Sequence, residues 1–225
     1  MDRKPYAIAI DGPSGAGKSS LARSVAREIG FVYVDTGAIY RTVGWAALRR
    51  SAEDAAAVAA LLPEIRITMD YGEDGEQRMY LNGEDVSEKI RLPEVSMAAS
   101  RISALPEVRS FLLDMQRSLA EKNNVIMDGR DIGTVVLPHA DVKIFLTASV
   151  EDRARRRYQE LCQRGTAKDF EQLLREIKER DYNDTHRAAA PLRPAEDAVV
   201  LDTTGNTFQQ SRQQLLDIIR GRVGL

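Results

Sequence analysis

The sequence predicts an α/β protein built on a parallel sheet. Three observations predict it. Short apolar runs recur along the chain, amphipathic stretches of helical period separate them, and the first two runs flank one such stretch as a βαβ unit. A hydrophobic content of 43% and a charged content of 29% belong to an ordinary globular chain. A length of 225 residues suffices for one sizeable core with small appended lobes.

Residues 6–10 are the first run, which ends at Asp11 and a Gly-rich turn. Leu21, Val25 and Ile29 follow at helical spacing, and Gly30 ends that helix. Residues 31–34 read as a second strand stopping at Asp35, and 38–50 as a helix. The alternation is then interrupted. Residues 51–62 are Ala-rich and helical, with Pro63 as the stop. Residues 65–71 and 78–81 read as strands, with Asp74-Gly75 turning between them and Asn82-Gly83 after them. A small antiparallel hairpin, inserted near 65–83, is the result. Helices follow at 93–101 and 106–121. The alternation resumes with 125–127, ending at Asp128, and 142–146 is a fourth buried strand. A long, charged helical stretch covers 150–187, broken at Gly165. Residues 199–201 are a fifth strand, and 207–220 a closing helix.

A net charge of −2 speaks against a dedicated nucleic-acid binder. The single cysteine, Cys162, cannot form an internal disulfide, which favours a reducing compartment. No apolar run approaches the ~20 residues that span a bilayer, and the first run is too short for a signal-peptide core. The expectation is a cytoplasmic protein with no membrane or nucleic-acid partner. No apolar stripe marks a dimer face, so a monomer is the default.

The turn after the first strand, Gly12-Pro13-Ser14-Gly15-Ala16-Gly17-Lys18-Ser19, fits G-x-x-x-x-G-K-[ST]. The glycines let the backbone curl until several N–H groups aim at one anion, and the following helix adds its positive end. Lys18 places a cation near β- and γ-phosphates, and the Ser19 hydroxyl suits Mg²⁺. With Ser20, these residues form the expected ATP-binding set. The motif alone signifies nucleotide-phosphate binding and does not separate kinases from GTPases or ATPases. No N-K-x-D for guanine is present.

Three further groups stand out. Asp35 to Arg41 (DTGAIYR) follows the second strand, and ligands of open α/β sheets sit beyond the carboxyl ends of the strands. Thr36 and Arg41 are therefore expected at the same crevice as the loop. Asp128-Gly129-Arg130-Asp131 follows another strand, where it could hold metal-bound water, a phosphate and a base edge, or form a salt-bridged turn. Arg180, Asp184 and Arg187 share a helix face by their spacing, which a solvated helix also shows.

With these residues in view, the chain resembles the bacterial cytidylate kinases along nearly its whole length. The resemblance lies in IDGPSGAGKS, DTGAIYR, DGRDIGTVVLP, VKIFL, EIKERD and RAAAP. It implies one P-loop kinase domain over 1–225: a three-layer fold with a five-stranded parallel sheet flanked by helices. It also implies a monophosphate-binding lobe at 36–110, containing the hairpin, and a short helical lid at 150–187. The implied reaction is transfer of a phosphoryl group from ATP, with Mg²⁺, to CMP or dCMP. Thr36, Arg41, Ser100, Arg109, Arg130, Asp131, Arg180, Asp184 and Arg187 sit where the family contacts CMP. Ser100, Arg109 and Asp131 would read the cytosine, and Arg130 would lie by the acceptor phosphate. Lys18, Arg130, Arg180 and the lid arginine Arg157 are expected to neutralise charge on the transferring group. Ser19 would hold Mg²⁺, with Asp128 reaching it through water. Other small-acceptor kinases, such as UMP/CMP, adenylate or shikimate kinases, and a P-loop switch without transferase activity, are the competing readings.

Overall fold

The computed structural model describes residues 4–163, 165–166 and 169–224. The chain forms two compact units, Met1–Tyr33 with Lys122–Leu225, and Val34–Glu121.

The first unit carries the parallel sheet. Its strands are β1 (Ala7–Asp11), β2 (Val32–Asp35, which leads into the second unit), β6 (Val125–Gly129), β7 (Val142–Thr147) and β8 (Val199–Asp202), in the order β2-β6-β1-β7-β8. The intervening labels β3 to β5 belong to the second unit. Strand β1 is central, pairing Ile10 with Asp128 on one side and with Ile144 on the other. A strand covered on both faces must be apolar throughout, and Ile8, Ala9 and Ile10 are fully buried. Helices α1 (Lys18–Ile29) and α8 (Phe208–Val223) contribute Leu21, Val25, Leu215, Leu216 and Ile219 to the same core. The N-terminus of α8 is set by a reciprocal bond pair between Thr207 and Gln210. Helices α6 (Val150–Gln163) and α7 (Phe170–His186) pair over a separate small core of Ala154, Leu173 and Ile177. The break expected at Gly165 lies between them.

The second unit contains α2 (Thr36–Arg49), α3 (Ala55–Leu61), α4 (Pro93–Ile102) and most of α5 (Pro106–Lys122). A three-stranded antiparallel sheet joins them: β3 (Ile67–Tyr71), β4 (Gln77–Leu81) and β5 (Glu84–Asp85). The expected hairpin is present, with Met69 opposite Met79. Strand β5 was not expected, since two exposed acidic residues carry no alternation. The Ala-rich helix begins later than expected. Ser51 takes a left-handed conformation (φ 51°), and Asp54 caps α3 by accepting from the Ala57 amide at 2.8 Å. Among the described residues no helix is long and apolar enough to cross a membrane.

Candidate active site

The glycine-rich loop connects β1 to α1. Gly12 has a φ of 149°, and a Cβ there would stand 1.9 Å from the Leu146 carbonyl oxygen of β7, so only glycine lets the chain leave the sheet here. Lys18 is buried and its ammonium donates to the Pro13 carbonyl at 2.8 Å. Burial pushes the Lys18 pKa down to about 7, and the neighbouring Arg130 and Arg180 add to this against the opposing Asp128 and Asp11. Two guanidiniums of the first unit therefore act on the loop lysine.

The end of β6 supplies the next layer. Asp128 is buried beside the loop and accepts from the Ser19 hydroxyl and the Tyr33 hydroxyl, each at 2.9 Å. Arg130 donates through Nε to Asp184 at 2.8 Å. Burial raises the Asp184 pKa, but Arg130, with Arg180 and Arg187, outweighs this and holds it below the usual carboxylate range. Asp131 is buried 3.5 Å from the Arg187 guanidinium. Arg187 caps α7 and donates through Nε to the Ala190 carbonyl at 2.8 Å. Arg180, Asp184 and Arg187 thus form no solvated stripe: Asp184 is buried and sits among the cations.

After Asp131 the chain makes a wide π-type turn over Ile132–Val136. Asp11, at the end of β1, accepts from the Ile132 and Gly133 amides at 2.7 and 2.8 Å. Burial raises its pKa to about 6, in spite of those two bonds and of Lys18, and Asp131 contributes in the same direction.

Four of the expected acceptor residues lie in the second unit. Thr36 is buried in the first turn of α2, whose N-terminus Asp35 caps by accepting from the Ala38 amide. Asp35 also pairs with Arg41 at 2.8 Å, and Gln77 of β4 bonds both the amide and the carbonyl of residue 35. Arg109 lies 5.7 Å over the Tyr40 ring and donates to the Ser103 carbonyl. The Ser103 hydroxyl donates to the carbonyl of Ser100.

Arg157 forms an exposed pair with Glu160. The arginines of α6 that reach the glycine-rich loop are Arg153 and Arg156, on the carbonyls of Ser14 (3.0 Å) and Ala16 (3.4 Å). Sequence reasoning passed over both, together with Asp11, Tyr33 and Asp181. An acid closing the strand before the loop was a readable signal for Asp11. Tyr33 and Asp181 offered none.

Fold and loop together define a P-loop nucleotide-binding protein. Residues 8–221 match the family model for cytidylate kinase, and the chain belongs to that family. It is 50% identical over 217 residues to a cytidylate kinase of Caldicellulosiruptor bescii, covering 96% of each chain. It is likewise 50% identical over 214 residues to one of Carboxydothermus hydrogenoformans, covering 94% of this chain and 96% of that one. A solved structure of an uncharacterized protein from Eubacterium ventriosum shares the fold, with a TM-score of 0.53 at 12% identity over 96% of this chain and 99% of that one.

Proposed function

We propose that this chain transfers the terminal phosphoryl group of ATP to CMP and dCMP, yielding ADP and the pyrimidine diphosphate. The observation that carries the reading is the cation cluster at the end of β6, where Asp184 holds Arg130 at 2.8 Å and Arg187 lies 3.5 Å from Asp131, with Arg130 and Arg180 adding to the fall that burial causes in the Lys18 pKa. Cations crowded in this way repel one another. A polyanion relieves that repulsion, and a transferring phosphoryl group is such an anion.

Donor binding falls to the loop amides and Lys18. Within the first unit acceptor binding falls to Arg130, Asp131, Arg180, Asp184 and Arg187; Thr36, Arg41, Ser100 and Arg109 belong to the second unit, and their assignment rests on the family resemblance alone. The acceptor oxygen is already anionic, so no residue need take a proton from it. Alignment and charge neutralisation are then the whole of the protein's task. Lys18, Arg130 and Arg180 are the groups we assign to it. The α6–α7 pair is the lid in this reading, with Arg153 and Arg156 rather than Arg157 on the donor loop.

The Ser19 hydroxyl and Asp128 carboxylate are hard oxygen donors within one hydrogen bond of each other, a set that suits Mg²⁺. Ser19 would hold the ion directly and Asp128 through water. When bound it neutralises β- and γ-phosphate charge. Base choice rests on Asp131. Its carboxylate accepts from the cytosine amine and repels the carbonyl that uracil presents there, and a buried polar mismatch discriminates strongly.

A kinetic panel of CMP, dCMP, UMP, AMP and shikimate with ATP tests the reading. Turnover highest with CMP or dCMP is the expected result. Preference for AMP or shikimate, or ATP binding with no acceptor-dependent turnover, overturns it.

A further inference from the structure

A loop that presents its amides to an anion turns its carbonyls the other way, and those carbonyls need partners of their own. Cations supply them here: Lys18 for Pro13, Arg153 for Ser14 and Arg156 for Ala16. Arg153 is the most constrained. Its side chain is 3% exposed, and Nε donates to the Ala148 carbonyl at 2.9 Å. Nη1 and Nη2 clasp both oxygens of Asp181, at 3.0 and 2.5 Å, while Nη1 also reaches Ser14. A Cβ added to Gly15 would stand 3.4 Å from the Arg153 Cβ, so α6 abuts the loop with no side chain between. Asp181 lies on α7, next to Arg180 and one helical turn before Asp184. One buried guanidinium therefore joins the loop crest, the start of α6 and the helix that carries three of the site's charged groups.

We propose that Arg153, clamped by Asp181, is a positioning residue that sets the carbonyls of the donor loop and registers α7 against it. Neither side chain need touch a nucleotide. The planar fork of a guanidinium serves two carboxylate oxygens and two carbonyls in one geometry, and an ammonium cannot. The inference rests on the donor role of the loop given above, not on the identity of the acceptor.

The test measures ATP binding by calorimetry with Mg²⁺ and without CMP. The proteins are the wild type, Arg153→Lys, Asp181→Asn, Asp181→Glu and the Arg153→Lys/Asp181→Asn double variant. Asp181→Asn is expected to weaken ATP binding about 10-fold, the size of one charge-assisted bond, and Arg153→Lys by a similar factor. The double variant should lose no more than the worse single, because both changes break one clamp. Asp181→Glu should recover part of the loss. The proposal is overturned if Asp181→Asn binds ATP as the wild type does, if the two losses multiply, or if only the melting temperature falls. Should Arg153→Lys fail to fold, Asp181→Asn, whose side chain is 21% exposed, still decides the matter. Normal ATP binding by the wild type without CMP turnover would refute the acceptor reading alone. Normal CMP turnover with unchanged ATP affinity in Asp181→Asn would refute the clamp alone.

Discussion

Asp11→Asn offers a prediction whose size and sign both follow from the site. Asp11 is 4% exposed and accepts from two backbone amides, yet burial holds its pKa near about 6 against an ordinary 3.8. A carboxyl with a raised native pKa binds its proton more tightly in the folded state. Its contribution to stability is complete below pH 3.8 and is lost as the pH climbs through about 6. Between pH 4.5 and 7.5 that loss amounts to about 2 kcal/mol in the wild type. Asparagine does not titrate, and its amide can accept from only one of the two N–H groups. At pH 4.5, where the folded wild type keeps this carboxyl mostly neutral, the variant should therefore be less stable by the lost bond, about 1–2 kcal/mol. At pH 7.5 the gap should have shrunk by about 2 kcal/mol, leaving the variant about as stable as the wild type. Urea unfolding followed by far-ultraviolet circular dichroism measures it, since the lone Trp45 lies in the second unit. A gap independent of pH, or one that grows as the pH rises, refutes the reasoning.

Three more outcomes follow from the same geometry. At pH 8 Lys18, with its pKa near about 7, is mostly neutral in the free protein, and a bound triphosphate restores its charge. ATP binding should then take up about one proton, read by calorimetry in buffers of different ionisation enthalpy; an enthalpy that ignores the buffer would contradict this. Asp131→Ala should cut the preference for CMP over UMP by about 100-fold or more, as the ratio of kcat/KM values, and an unchanged ratio would remove Asp131 from base recognition. Gly12→Ala places a Cβ 1.9 Å from the Leu146 carbonyl oxygen, so the protein should accumulate poorly or melt at least several degrees lower, whereas a wild-type melting curve would show that the loop can shift.

Much of the fold was legible because its signals are local. The five sheet strands are short apolar runs, and the P-loop announces itself by glycine spacing and by the strand and helix around it. The unread parts depend on neighbours that sequence does not order. Asp11 meets Ile132 and Gly133 only because β6 lies next to β1 in a sheet whose order is β2-β6-β1-β7-β8. Tyr33 reaches Asp128 for a related reason, since β2 and β6 are sheet neighbours. On α6 four arginines fall within five residues, about 100° apart for each step along the chain, so the choice of Arg153 and Arg156 over Arg155 and Arg157 follows from the rotation of the helix. The stretch before α3 was misread because alanine content masks where a helix starts, whereas the Asp54 cap and the turned Ser51 decide it.

The most direct test of phosphoryl transfer between two nucleotides is the product stoichiometry with purified protein, ATP, Mg²⁺ and CMP, resolved by chromatography. CDP and ADP should appear in equal amounts, and neither should form when CMP is left out. ADP accompanied by inorganic phosphate, or ADP production indifferent to CMP, would contradict the account.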